Sequence, residues 1–212
     1  MSFFEDLFAI KTKNVNLPYF EALFVKALGG GSVLPDEYEE VKGFSMNNDC
    51  YFEIDDFYLT GADTLKFSFL ITATCNVIGS YRGTTSGPNY SLYASTSNVS
   101  YLRYNATNYN SMFEADVRYD VEITPTGTRG FKNNSTWEEQ EFTTVKPLCI
   151  GTTASNITTS AKFKGTFFGR ICVKGRAVFI PCKRKADNVY GYYEKYSNTF
   201  YEPALGTPTP IV

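Results

Sequence analysis

The sequence predicts an all-β chain, an antiparallel β-sandwich or jelly roll, preceded by two short helices. Three observations carry this. From Val33 onward, apolar residues recur at every second position in short runs, the period of strands with one buried face. Clusters of Gly, Pro, Asn, Asp, Ser and Thr separate the runs, as turns between strands require. Aromatic residues make up 17% of the chain, with 16 Tyr and 18 Phe, and these side chains suit pleated, half-buried surfaces.

Residues 1–31 follow another pattern. Ser2 can cap the amide of Glu5, and Glu5 can reciprocate. Phe3, Phe4, Leu7 and Phe8 then fall on one helical face. A second apolar set, Tyr19, Phe20, Leu23, Phe24, Val25 and Leu28, follows Pro18, which suits a first helical turn. Gly29-Gly30-Gly31-Ser32 ends this helix and makes a hinge. Helices this short are marginal in water, so their aromatic faces need a partner: sister copies, another protein, or their own β-domain. The loose tether favours an anchor or oligomerisation segment.

Residues 32–212 form the β-domain. Cys50, Phe52 and Ile54 alternate with Tyr51, Glu53 and Asp55. Leu65, Phe67, Phe69 and Ile71 alternate with Lys66, Ser68 and Thr72, with Leu70 as the exception. Val117, Tyr119, Val121 and Ile123 alternate with Arg118, Asp120 and Glu122. Ala161 and Phe163 alternate with Lys162 and Lys164, and Val178, Ile180 and Cys182 share one face of a late strand. Turns are expected at Thr60–Asp63, Ser86–Asn89, Thr124–Gly127 and Lys132–Ser135. No convincing helical window follows Ser32.

Several functions find no residues to carry them. The formal charge of -2 makes no electrostatic case for nucleic acid or an anionic membrane. No window approaches the ~20 apolar residues of a membrane span. The first residues lack the positive stretch and cleavage site of a secretory signal, so the Asn-x-Ser/Thr sites read as ordinary loops. Five scattered cysteines, without any C-x-x-C pair, read as buried free thiols of a reducing compartment. The chain has no histidine, which excludes Ser-His and Cys-His nucleophiles. It also leaves no expected metal site or cofactor.

One carboxylate pair comes near catalysis. Glu53 and Asp55 share a strand face, as in sandwich-type glucanases, but Tyr58 stands where a second Glu is needed. Glu138, Glu139 and Glu141 read as surface charge, and Lys183-Arg184-Lys185 as a solvated turn. No enzyme is expected. The stretch from Tyr81 to Tyr109 offers the candidate ligand surface: Tyr81, Arg82, Tyr90, Tyr93, Arg103, Tyr104 and Tyr109, beside Asn89, Tyr101 and Asn108. Tyrosine supplies flat contact area and a hydroxyl at low entropic cost, which suits sugar or protein recognition. The same surface would serve a trimer interface. Trp137, the one tryptophan, reads as packing.

The C-terminal segment is the most distinctive. Phe179-Ile180-Pro181-Cys182, Arg184, Asp187, Gly191, Tyr193, then Phe200-Tyr201 and Gly206-Thr207 resemble the closing signature of concanavalin A-like (LamG-like) jelly rolls of gut-bacterial phages and prophages. Leu34-Pro35-Asp36-Glu37-Tyr38 is similar to the family's opening, and Pro147–Gly151 to its middle strand. The central tyrosine-rich part departs from the pattern. The resemblance implies a virion module, assembled in the bacterial cytoplasm: a homotrimeric head or tail fibre, or a decoration. It would be held to other virion proteins through residues 1–31, and its outward domain would bind host surface glycan or protein. A purely structural decoration is the alternative. This inference is analogy.

Overall fold

A computed structural model describes residues 34–47, 49–80, 88–96, 100–105, 107–111, 113–153 and 162–212. The chain divides into two compact units, Met1–Asp36 and Glu37–Val212. The two expected helices, with Phe3, Phe4, Leu7, Phe8, Tyr19, Phe20, Leu23, Phe24 and Leu28, and the glycine hinge lie outside the described residues.

The second unit is all-β. Its strands are β1 (Tyr38–Glu40), β2 (Gly43–Asn47), β3 (Phe52–Ile54), β4 (Leu65–Ile71), β5 (Cys75–Ser80), β6 (Tyr90–Ala94), β7 (Ser100–Tyr104) and β8 (Thr107–Ser111). They continue as β9 (Tyr119–Thr124), β10 (Gly127–Arg129), β11 (Leu148–Ile150), β12 (Lys164–Val173), β13 (Ala177–Arg184), β14 (Tyr190–Glu194), β15 (Thr199–Tyr201) and β16 (Thr209–Ile211). No helix occurs among the described residues.

Two antiparallel sheets result. A ten-stranded sheet runs β10-β9-β4-β12-β13-β14-β15, with β2 beside the first half of β12, β16 beside β2, and β1 beside β13. A six-stranded sheet runs β3-β11-β5-β6-β7-β8. Their inner faces share one core. Phe52 of β3 lies 4.8 Å from Tyr192 of β14 and 5.9 Å from Phe44 of β2, which joins the sheets through aromatic contacts.

The alternation in β4 is as the sequence predicts: Leu65, Phe67, Phe69 and Ile71 are buried, and Lys66 is exposed. Phe52 and Ile54 are buried with Glu53 half-exposed. Two expectations differ. Val117 precedes β9 and is exposed. In β13 the core face is Ala177 and Phe179, not Val178, Ile180 and Cys182. Ile180 and Cys182 are nonetheless buried, outside the main core cluster. A strand covered on both faces loses the contrast that alternation needs, so its sequence could not say which face was inner.

The closing signature acts as a structural clamp. Arg184 grips Asp187 (Nη2 to Oδ2, 2.6 Å) and Glu202 (2.6 Å), and its guanidinium lies 4.8 Å from the Phe200 ring centroid. The basic run is therefore not a free turn at Arg184, because its charge is paired with Asp187 in the β13–β14 connection and with Glu202 after β15. Glu194 is almost fully buried and accepts the backbone N–H groups of Val178 (2.9 Å), Tyr196 (3.0 Å) and Ser197 (2.6 Å). Burial alone would raise its pKa; the amides of Ser197, Val178 and Tyr196 outweigh that and hold it below the usual carboxylate value.

A pH signature follows from the sign of that shift. A carboxyl whose folded pKa is depressed stabilises the fold above its unfolded pKa of about 4.3, and loses that contribution as pH falls through the folded value. Glu194→Gln presents an amide N–H₂ where only acceptors are wanted. It is expected to cost about 2 kcal/mol at neutral pH. In thermal melts the gap between variant and wild type should close below about pH 4. A gap that stays constant into acid would show that the charge is not what holds this turn.

Candidate ligand-binding surfaces

Period two divides the tyrosine-rich stretch. On β6, Tyr90, Leu92 and Ala94 are buried, and Tyr93 is half-exposed. On β7, Leu102 and Tyr104 are buried, while Tyr101 and Arg103 are half-exposed. Tyr90 and Tyr104 are therefore core residues, not ligand contacts. The Tyr90 hydroxyl lies within reach of the backbone oxygens of Asp63 (3.3 Å) and Ile123 (3.4 Å), to which it can donate. Burial, with Asp63 and Tyr104 nearby, pushes its phenol well above the usual value. The Tyr104 hydroxyl donates to the Gly61 carbonyl (2.8 Å) and accepts the Gln140 N–H (3.2 Å). The phenols of Tyr90 and Tyr104 thus both have backbone partners, which is what makes their burial tolerable.

Tyr109 also turns inward. It stands opposite Leu102 and packs against Trp137, with centroids 4.6 Å apart. Trp137 stacks on Tyr104 at 4.9 Å, so the tryptophan does pack. Tyr81 and Arg82 lie outside the described residues. Of the seven predicted residues, Tyr93 and Arg103 are the described ones on the outer face.

Those two are joined by neighbours from adjacent strands. Tyr93 stands directly opposite Tyr101, and the rings stack with centroids 4.9 Å apart and planes 22° apart. Asn76 of β5 lies opposite Tyr93, and Asn110 of β8 opposite Tyr101. Arg103 stands opposite Asn108 and donates from Nε to its Oδ1 at 2.8 Å. The outer face of the six-stranded sheet thus carries two adjacent tyrosine rings flanked by asparagine side chains and one arginine. Flat apolar area beside directional amide groups can hold a sugar ring or a polar peptide.

The thiols offer no nucleophile at neutral pH where they are buried. Burial pushes Cys50, Cys149 and Cys182 up to about 12 and Cys75 to about 11, and a protonated thiol is neither nucleophile nor metal ligand. Cys172 departs from the expectation of burial, since it is half-exposed on the outer face of β12. Glu53 is half-exposed opposite Cys149 on β11, and Asp55 and Asp56 are exposed in the turn that follows. Among the described residues no three His, Cys, Asp or Glu side chains converge as metal ligands would.

Sequence reasoning passed over a second surface. On the outer face of the ten-stranded sheet, β10, β9, β4 and β12 form a groove of about 320 Å³, lined by Lys66, Asp120, Glu122, Arg129, Arg170 and Cys172 among others. Arg129, Glu122, Lys66 and Cys172 stand in one cross-strand row. The polar alternation Asp120-Val121-Glu122 was the available signal. Its partners come from residues far away in sequence, so the grouping itself was not readable. Asp120 accepts a hydrogen bond from Ser68, which with Arg118 holds its carboxyl below the usual value against the opposing effect of burial. A carboxyl held low is a poor general acid.

The chain matches no protein-family model, and the search of curated proteins gave no match.

Proposed function

We propose that the protein is a phage virion component, a fibre or decoration, whose β-domain is a concanavalin A-like jelly roll that faces outward and binds host surface glycan or protein. Residues 1–31 would anchor it to other virion proteins and assemble it as a homotrimer. The observation that carries the binding part is the stacked Tyr93–Tyr101 pair with Arg103 and Asn108 beside it. The phage assignment rests on the resemblance of the Phe179–Thr207 segment to the closing signature of phage jelly rolls. No catalytic step belongs to this reading. Trimerisation would give weak individual sites avidity.

A second reading, a purely structural decoration without a host ligand, is favoured by the internal use of the signature residues. Arg184, Asp187 and Glu194 all bind within the closing segment itself, so the segment that carries the resemblance speaks to fold before function.

Full-length protein on a glycan array separates the two. The adhesin reading expects binding that falls at least about tenfold in Tyr93→Ala/Tyr101→Ala, since stacking on an aromatic pair contributes roughly 0.5–1.5 kcal/mol per ring contact and avidity multiplies it. Particles assembled with a chain lacking residues 1–31 should carry none of it. Silence across the array, together with loss of incorporation on that deletion, sinks the adhesin reading and leaves the structural one. Normal incorporation without residues 1–31 sinks the anchor.

A further inference from the structure

We infer that the groove on the ten-stranded sheet is a second binding site, on the opposite sheet from the tyrosine pair, for a carboxylate-bearing saccharide that pairs with Arg129. The proposal goes beyond the host-binding surface above and does not depend on it.

Charge bookkeeping within the groove points to the ligand. Three cations, Lys66, Arg129 and Arg170, face two carboxylates, Asp120 and Glu122. Lys66 is committed to Glu122 (Nζ to Oε1, 3.1 Å). Arg170 is committed to Glu40 through two hydrogen bonds of 3.0 and 3.1 Å. Asp120 is committed to Ser68 and to Arg118 (Nη2 to Oδ1, 3.1 Å). Arg129 is exposed and, among the described residues, makes no ion pair or side-chain hydrogen bond. Its register partner Glu122 is already engaged by Lys66. The groove therefore has one surplus cation, at one end of a cross-strand row, with a planar fork suited to a carboxylate.

About 320 Å³ is at the lower end of small-ligand sites. A single surplus charge suits one carboxylate per repeat rather than a phosphate-dense polymer. Beside the groove, the Phe168 ring lies under the Arg118 guanidinium at 4.7 Å and opposite Ser68. The register of β12 shifts between Phe168 and Cys172, with Gly169 at φ 62°. Bulges of this kind re-aim side chains and are enriched beside binding sites; here the irregular segment contains Arg170, a lining residue.

Calorimetric titration of the full-length protein with an oligogalacturonate and an oligosialate, each paired with its carboxyl methyl ester, tests the proposal. At least one acidic oligomer should bind, more weakly at high salt, while its ester should not. Arg129→Gln should weaken binding about tenfold, equivalent to about 1.4 kcal/mol. Glu122→Gln, which removes a facing carboxylate, should strengthen it, and Tyr93→Ala/Tyr101→Ala should leave it unchanged. Absence of binding by both acidic oligomers overturns the site, as do equal binding of the esters and unchanged affinity in Arg129→Gln. A polyglutamate peptide that binds as tightly would assign the groove to an acidic protein instead. Should Arg129→Gln fail to fold, weakened or unchanged affinity in Glu122→Gln still overturns the proposal.

Discussion

Gly43→Ala is expected to destabilise the β-domain by about 4 kcal/mol or more, placing it among the largest single-residue effects. Gly43 opens β2 opposite Phe168 of β12, with φ of 152°, a conformation L side chains rarely adopt. A Cβ there would lie 2.1 Å from the Phe167 carbonyl oxygen. That oxygen belongs to the backbone and cannot rotate aside. Relief requires β2 to part from β12 along the pairing from Gly43↔Phe168 to Asn47↔Lys164, and β16, which pairs with β2, would follow. Urea unfolding would measure the loss. A midpoint close to wild type would show that the β2–β12 register is wrong.

Phe52→Ala should cost about 4 kcal/mol by leaving a cavity between the sheets. For a domain of this size that lowers Tm by about 8–16 °C. The ring is fully buried between Phe44 and Tyr192, contacts that cross from the six-stranded to the ten-stranded sheet. Tyr192→Phe serves as the control at the same junction. Among the described residues the buried Tyr192 hydroxyl has no hydrogen-bond partner, so removing it should be neutral or mildly stabilising. Thermal melts of both variants distinguish packing from polarity. Equal, large losses in both would mean that the Tyr192 hydroxyl has a partner and that the junction is not held by ring contacts alone.

Both effects rest on where strands meet, and that is where the sequence was least legible. The alternation of Leu65, Phe67, Phe69 and Ile71 with Lys66 and Ser68 was readable because each face has one character. The tyrosine-rich stretch was not. Tyr90 and Tyr93 are chemically identical, yet one is sealed in the core and the other faces outward. Tyrosine is amphipathic, so residue type does not reveal the side on which a given ring falls. In β13, burial of both faces hid the inner one.

What the sequence determined by itself is the all-β character of the chain beyond the glycine hinge, the positions of many strands and turns, and the absence of histidine chemistry. These are local properties: a period of two, turn residues and composition. The tertiary structure decided which alternate residues form the core, that Arg184 reaches past its own hairpin to Glu202, and that Lys66, Glu122 and Arg129 stand in one row. Those outcomes depend on antiparallel pairing between segments distant in the chain, and side-chain period carries no information about which strands will be neighbours.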